Sequence, residues 1–299
     1  MKTQFLNKSK LSIFVLVCTF LITAMTAQTT VNNNPNTSAD FTDLQAAIDV
    51  ASNGDIIYVQ QSPTSYGTIT INKGLTIVGR SHSDSGYKSE TGNITFAAGS
   101  SNTTLKGLKI GGISEAFTSS TITDLKFFDN DITSFGLGST DTFDNMLIQG
   151  NIIKSTFYIY TNTSNVLVNN NIFFSTQLEF YNTATLLFSN NVMAYYEGPN
   201  FSNRSTGLLN IDNCIFIGNS NNGAKTIKLN PLSGTIQVNN CITYNYDAAT
   251  VYTFTTGTGI TIAANNQENV DPLFTSVDTS GTTSDVGTCC LCRACLTKN

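Results

Sequence analysis

The sequence has no tryptophan, a single histidine, 5 prolines and few charges: only 12% of its 299 residues are Asp, Glu, Lys or Arg. The hydrophobic fraction of 40% is nevertheless too high for a disordered chain, and the 22 glycines follow no collagen-like period. The single histidine, His82, lies in a polar loop sequence and is a poor candidate for a catalytic base. No long apolar run follows residue 22, so no later segment is predicted to cross a membrane.

The first 27 residues are typical of a signal peptide. Three lysines precede an apolar run at 11–22, which is short for a membrane span, and small residues lead to Ala27. Cleavage at that point predicts a secreted or extracellular surface protein; a retained membrane anchor is the alternative. The remaining chain has a net charge of −8, because the leader contains three lysines and no acidic residue. This acidic balance argues against nucleic acid as a partner.

Asparagine is abundant, with 35 residues, and many of them recur in a repeat. Each of six copies has an apolar residue, two polar or turn residues, then Asn, Asp or Cys, then a β-branched residue. The fourth positions are spaced by 20, 20, 20, 23 and 27 residues and are Asp131, Asn151, Asn171, Asn191, Cys214 and Cys241. Apolar residues alternate with polar ones before each copy, as in strands with one buried face. The pattern predicts a solenoid in which these positions stack as a ladder.

Asparagine suits such a ladder because its side chain carries both hydrogen-bond donors and an acceptor, so stacked copies can satisfy one another. Cys214 and Cys241 occupy consecutive ladder positions, so their side chains are predicted to stack in the core. They form either a disulfide or a pair of buried thiols.

The beginning of the solenoid is predicted to be covered by a short helix. Its apolar face is formed by Phe41, Leu44, Ile48 and Ala51. Thr42 and Gln45 have capping-box spacing, and Gly54 follows as a stop signal. Strands are predicted next at 56–60, 68–72, 75–79, 94–96 and 104–110.

Three segments resemble known proteins. Residues 40–59, Tyr66 and residues 71–80 resemble the opening of pectate-lyase-like right-handed parallel β-helix proteins, and 270–274 resembles a segment near the end of secreted bacterial members. The asparagine column is similar to the asparagine ladder of that superfamily. The resemblance implies an all-β, right-handed parallel β-helix at 38–276, with a linker at 28–37 and an irregular tail at 277–299. A leucine-rich repeat is the competing solenoid, but the second half of each repeat here is not rich in leucine.

The tail differs abruptly in composition and contains Cys289, Cys290, Cys292 and Cys295. We interpret it as a reading-frame artefact or a truncated end. A zinc site is the alternative, although no histidine or second cysteine cluster accompanies these residues.

The resemblance also implies where a ligand would bind, along a groove beside the strands predicted at 156–160, 177–181, 195–201, 226–229 and 251–254. Outward tyrosines beside carboxylates and cations suit sugar rings. The residues predicted to bind substrate are Tyr158, Tyr160, Gln177, Tyr181, Tyr196 and Glu197. The residues predicted to act in catalysis are Lys228, Glu179 and Arg204.

These residues favour a monomeric protein that binds extracellular polysaccharide or a cell-surface glycan, and that could cleave it by a lyase-type reaction using a basic side chain. The Asp-Asp pair and Gly-His-Gly motif of the hydrolase branch are missing from the sequence. Calcium is a candidate cofactor without a clear site. The alternative function is that of a non-enzymatic structural or adhesive surface protein.

Overall fold

The chain forms a right-handed parallel β-helix, and the residues that the structure describes include one short helix, near the start of the solenoid. The structure, a computed structural model, describes residues 28–81, 86–138, 140–163, 165–174, 177–182, 186–194, 200–204, 206–218, 226–245 and 252–272. The predicted signal peptide, His82, Tyr196, Glu197 and the cysteine-rich tail lie outside the described residues. Within the described part, the one helix is far too short to cross a membrane.

Every coil of the solenoid contributes a strand to one continuous sheet, the first sheet. Among the described residues it has eleven strands, which are parallel and follow the order of the chain. They are β1 (Gln28–Val31), β2 (Ile56–Val59), β4 (Thr76–Val78), β6 (Thr104–Lys106), β9 (Lys126–Phe128), β12 (Met146–Gln149), β15 (Val166–Asn169), β18 (Leu186–Ser189), β21 (Leu208–Asp212), β24 (Thr235–Asn239) and β27 (Ile260–Ile262).

The second sheet has fourteen strands in the described part of the chain and divides part-way along the solenoid. Its undivided part consists of β3 (Ile69–Ile71), β5 (Glu90–Phe96), β7 (Lys109–Glu115) and β10 (Asp131–Leu137). The short branch consists of β13 (Ile152–Ile153), β16 (Ile172–Phe173), β19 (Val192–Ala194), β22 (Ile215–Gly218) and β25 (Ile242–Asn245). The long branch consists of β14 (Phe157–Thr163), β17 (Gln177–Asn182), β20 (Asn200–Asn203), β23 (Thr226–Pro231) and β26 (Thr253–Phe254). β8 (Thr121–Thr123) and β11 (Thr142–Asp144) form a separate pair.

A tight corner follows seven successive strands of the first sheet, from β6 to β24. One residue at the corner has a left-handed backbone, and these residues are Gly107, Asp129, Gly150, Asn170, Asn190, Asn213 and Asn240. Gly, Asn and Asp tolerate this conformation better than other residues. The predicted strand at 104–110 is therefore two strands, because Gly107 (φ 67°) turns the chain between β6 and β7.

The residue after the corner forms the predicted ladder, and Asn151 illustrates its bonding. The Nδ2 group of Asn151 donates to the carbonyl of Phe127 and to Oδ1 of Asn171, both at 3.0 Å. The backbone N–H of Asn151 donates to the same Oδ1 at 2.9 Å. Asn171 repeats this arrangement toward Asn191. The ladder thus fastens each corner to its neighbours, as the sequence pattern predicted.

The prediction was wrong at the first ladder position, which belongs to Asn130 and not to Asp131. The backbone N–H and Nδ2 of Asn130 both donate to Asn151 Oδ1 at 3.0 Å. Asp131 pairs in register with Ile152, one position beyond the ladder, and its Oδ2 lies 2.8 Å from Nζ of Lys154. A carboxylate cannot donate to the carbonyl groups of the ladder, whereas an amide can.

The prediction that Cys214 and Cys241 stack in the ladder is confirmed. Both thiols are free and buried, which matches the second of the two alternatives left by the sequence. The backbone N–H of Cys214 donates to Sγ of Cys241 at 3.4 Å, and Cys241 N–H donates to Oδ1 of Asn266 at 2.7 Å. Burial raises the pKa of the Cys214 thiol, so it remains a protonated member of the core.

A column of phenylalanines fills the interior between the sheets. Adjacent ring centroids along it lie 4.9 to 6.0 Å apart, mostly edge to face. Its members are Phe96, Phe127, Phe135, Phe157, Phe173, Phe188, Phe201, Phe216 and Phe254. Because these rings point inward, the residues that alternate with them along each strand point outward and form the outer faces of the solenoid.

The predicted capping helix is present as α1 (Leu44–Val50), with Leu44, Ala47 and Ile48 buried. Its N-cap is Asp43, whose Oδ1 accepts from the backbone N–H of Ala46 at 2.7 Å; Thr42 does not fill this position.

Residues 28–37, predicted as a linker, include β1, which pairs along its whole length with β2. The outer edge of β1 is closed by the segment before the helix. Oδ2 of Asp40 accepts from the backbone N–H and the hydroxyl of Thr30 at 2.8 Å, and Phe41 forms a bridge to Val31. Closing the edge in this way prevents pairing with another chain.

The Asp40 contact predicts a pH-dependent first strand. The hydrogen bond from the Thr30 backbone lowers the pKa of Asp40 below its ordinary value of 3.8. A lowered pKa in the folded state gives stability that is present above the ordinary value and is lost as the pH falls through the folded value. Asp40→Ala should therefore increase hydrogen exchange in 28–31 at neutral pH. Acid should do the same in the wild type, after correction for intrinsic rates, whereas unchanged protection in both would contradict this role.

Candidate functional site

The outward surface of the long branch, which we call the site face, carries the candidate residues. The strands predicted at 156–160, 177–181, 226–229 and 251–254 correspond to β14, β17, β23 and β26. β20 shares residues 200 and 201 with the strand predicted at 195–201, whose first five residues lie outside the described part of the chain. Phe157, Ile159, Leu178 and Phe180 are fully buried, so the residues between them point outward. Tyr158, Tyr160 and Gln177 are half-buried on this face, and Lys228 is exposed.

The strand register determines which of these residues are neighbours. Tyr158 on β14 is paired with Glu179 on β17, which in turn is paired with Ser202 on β20. Gln177 is paired with Asn200, and Asn200 with Lys228. Lys228 therefore lies two strands from Gln177, about 10 Å away at the usual strand spacing.

Side chains from three coils form a hydrogen-bonded network on the site face. The hydroxyl of Tyr158 donates to Oε1 of Gln177 at 2.9 Å, and Nε2 of Gln177 donates to Oε1 of Glu179. Nε of Arg204 lies 3.5 Å from Oε2 of Glu179, and the Tyr160 hydroxyl also hydrogen-bonds to this carboxylate. The network holds both tyrosine rings in place.

The two tyrosines form a continuous aromatic surface. Their ring centroids are 5.1 Å apart with an interplanar angle of 39°. Burial raises the pKa of both hydroxyls, and the negative charge of Glu179 raises it further. Both phenols are therefore neutral at physiological pH, where they can donate and accept hydrogen bonds.

The predicted catalytic residues are only partly brought together. Glu179 and Arg204 are in contact, but Lys228 is on a strand two coils from Glu179. The side chain of Glu179 is only 7% exposed and is already engaged by Gln177, Tyr160 and Arg204. Such a carboxylate is better suited to positioning its neighbours than to taking a proton from a substrate.

The structure says less about the remaining predicted substrate-binding residues and about calcium. Tyr181 belongs to β17, as predicted, and Tyr196 and Glu197 lie outside the described residues. Calcium remains a prediction: no group of three potential His, Cys, Asp or Glu ligands occurs in the part of the chain that the structure describes.

The structure adds amides and a hydroxyl that the sequence reading did not select. Asn200 and Ser202 on β20 and Asn230 on β23 share the site face, and Nδ2 of Asn230 donates to Oδ1 of Asn200. Ser202 and Asn230 lie just beyond the strands predicted at 195–201 and 226–229, and strand alternation would have indicated them if both strands had been predicted to extend further.

Comparison with other proteins gives no further guide, because no family model, curated protein or solved structure matches this chain. The fold is therefore established by the strand topology and by the asparagine ladder.

The network makes a direct prediction about tyrosine ionisation. Glu179→Gln should lower the pKa of Tyr158 and Tyr160, because it removes one of the two main causes that raise them while burial remains. A tyrosinate absorbance titration from about pH 9 to about 12 would measure this. Asp131→Asn is the control, since Asp131 pairs with Lys154 away from these tyrosines. Identical titrations for both variants would show that Glu179 does not contact the tyrosines.

Proposed function

We propose that this chain is a secreted β-helix protein, similar to the pectate-lyase-like superfamily, that binds extracellular polysaccharide on its site face. The observation that carries the proposal is the tyrosine pair Tyr158 and Tyr160, held side by side by Gln177 and Glu179. Preorganised aromatic rings lose little conformational entropy on binding, and their faces match the apolar faces of sugar rings.

The polar groups around the tyrosines favour a neutral polysaccharide. Gln177, Asn200, Ser202 and Asn230 offer amides and a hydroxyl, which suit sugar hydroxyls. The positive charge of Arg204 is directed at Glu179, and the chain without its leader has a net charge of −8. Strong attraction of a polyanionic chain is therefore not expected.

Binding is better supported than cleavage. A lyase-type reaction would need a basic side chain near a substrate proton, and Lys228 is the candidate base with Glu179 and Arg204 as its predicted partners. Glu179 is occupied by its own network, and Lys228 is two strands away from Gln177. A structural or adhesive role without glycan binding is the alternative.

The test is a glycan array covering neutral and uronic acid polysaccharides, followed by affinity measurements. Tyr158→Ala and Tyr160→Ala should each weaken binding at least tenfold, or about 1.4 kcal/mol. Tyr58→Ala is the matched control, because Tyr58 is an outward tyrosine on the first sheet with 38% exposure.

Two outcomes would change the proposal. If the wild type binds no glycan, polysaccharide binding is wrong and the structural or adhesive role takes its place. If the protein releases an unsaturated, ultraviolet-absorbing product and Lys228→Ala abolishes the release, the protein is a lyase.

A further inference from the structure

An exposed phenylalanine stands on a loop at the edge of the second sheet, outside the predicted site. Phe117 follows β7, has 65% of its surface exposed and adopts a left-handed backbone with φ of 55°. An aromatic residue in this state gains nothing from burial, and its backbone conformation is unusual for a residue other than glycine. Such a residue is a candidate for contact with a ligand.

The loop that carries Phe117 is held firmly in this position. Oδ1 of Asp141, which is only 1% exposed, accepts from the Ser120 backbone N–H at 2.7 Å and from the Thr118 hydroxyl at 3.0 Å. Oδ2 of Asp141 accepts from the Thr118 backbone at 3.3 Å, and the Asp141 backbone N–H donates to the buried Glu115 at 3.3 Å. Asp141 thus contacts residues on both sides of Phe117: its carboxylate holds Thr118 and Ser120, and its backbone N–H donates to Glu115.

The strand register places Phe117 along the same edge as Tyr160. Ile113 on β7 pairs with Phe135 on β10, and Leu137 on β10 pairs with Ile159 on β14. Tyr160 follows directly after that last pair, and Phe117 lies just beyond the end of β7 two coils earlier. Two coils correspond to about 10 Å along the solenoid axis.

The outward strand positions between Phe117 and the tyrosines carry glycines and serines. Gly136 on β10 is paired with Tyr158, and the neighbouring outward positions on β7 and β10 are Gly112, Ser114 and Ser134. The hydroxyl of Ser114 is hydrogen-bonded at 3.1 Å to the hydroxyl of Thr95 on β5, in the preceding coil. These small residues leave room for a ligand lying along the axis and offer hydroxyls to it.

We infer that the site face continues toward the N-terminal coils as a linear track that ends at Phe117. This inference rests on the proposed function and makes it more specific. The ligand is an extended, neutral polysaccharide whose chain runs along the solenoid axis, with sugar rings contacting the tyrosine pair at one point and Phe117 at another. Asp141 acts as a positioning residue for the distal contact.

The test uses oligosaccharides of increasing length, prepared from the polysaccharide that binds best on the array, and calorimetric affinities for the full chain. Phe117→Ala should weaken binding at least fivefold for long oligosaccharides and leave short ones unaffected, whereas Tyr160→Ala should weaken both. Phe117→Tyr, which keeps an aromatic ring, should bind like the wild type.

Tyr87→Ala is the matched control, because Tyr87 is equally exposed at 63% but precedes β5, so it lies at the N-terminal end of the parallel strands whereas Phe117 lies beyond their C-terminal end. Phe117 is so exposed that Phe117→Ala should unfold at the wild-type temperature. If Phe117→Ala binds all lengths like the wild type, the track is wrong while tyrosine-dependent binding stands. If the wild type binds no glycan at all, the proposed function and the track are both wrong.

Discussion

Replacing Asn171 with alanine should lower the free energy of unfolding by about 3–5 kcal/mol. The substitution removes the acceptor of the buried Asn151 backbone N–H and the donor to the buried Ile148 carbonyl, at 2.9 Å each. It also removes a 3.0 Å hydrogen bond to the carbonyl of Asn169. Each buried polar group left without a partner costs about 1–3 kcal/mol.

Two other substitutions separate the ladder from general effects at the corner. Asn170→Gly changes the adjacent exposed asparagine, whose φ is 54°, and should leave stability nearly unchanged because glycine accepts this backbone. Asn171→Cys should fall between Asn171→Ala and the wild type, because Cys214 already occupies a ladder position. The Sγ of Cys214 contacts the Phe188 carbonyl at 3.5 Å and the Asp212 carbonyl at 3.3 Å.

Urea unfolding followed by circular dichroism would measure all three variants. A loss of less than about 1 kcal/mol for Asn171→Ala would mean that the stacked amides contribute little beyond filling space.

The ladder shows how far the sequence alone could predict the fold. Asn151, Asn171 and Asn191 are spaced evenly, so an even period located them correctly. The 20-residue spacing does not hold in the preceding coil, because 21 residues separate Asn130 from Asn151. Extending the 20-residue spacing by one more coil therefore selected Asp131. The choice between Asn130 and Asp131 depends on hydrogen bonds to the neighbouring coil, which no local pattern reveals.

The site was harder to predict than the fold. Strand alternation placed Tyr158, Tyr160, Gln177 and Glu179 on one face, since each strand has a fully apolar inward side. Strand alternation does not reveal whether an outward carboxylate already has hydrogen-bond partners. The Glu179 carboxylate interacts with side chains from three different strands or loops.

Phe117 was missed for a different physical reason. It lies in a Ser- and Thr-rich stretch without any period, and its exposed position depends on Asp141, which is distant in sequence. Loop conformations fixed by such long-range contacts leave no signal in the local residue pattern.

Replacing Phe157 with alanine should also cost about 3–5 kcal/mol, and more than the same change at the C-terminal end of the phenylalanine column. The Phe157 ring is fully buried and contacts three others, with centroid distances of 4.9 Å to Phe135, 5.3 Å to Phe173 and 5.8 Å to Phe180. Removing it leaves a cavity at the point where the second sheet divides, because the residue begins β14 and pairs with both β10 and β17. Phe157→Leu keeps most of the volume and should cost less than about 1.5 kcal/mol.

Phe254→Ala provides the matched comparison, since Phe254 lies in β26, is 5% exposed, and its one ring contact among the described residues is with Phe216.

A solenoid is stabilised by contacts between neighbouring coils, so the loss of structure in Phe157→Ala should remain local. Hydrogen exchange in Phe157→Ala should therefore rise in β10, β14 and β17 and remain unchanged in β2 and β4. Because Tyr158 stands directly beside the removed ring in sequence, glycan affinity should fall together with the stability of β14. Uniform exchange throughout the chain would instead mean that the coils unfold as one unit, and equal losses at Phe157 and Phe254 would mean that ring contacts add nothing to burial.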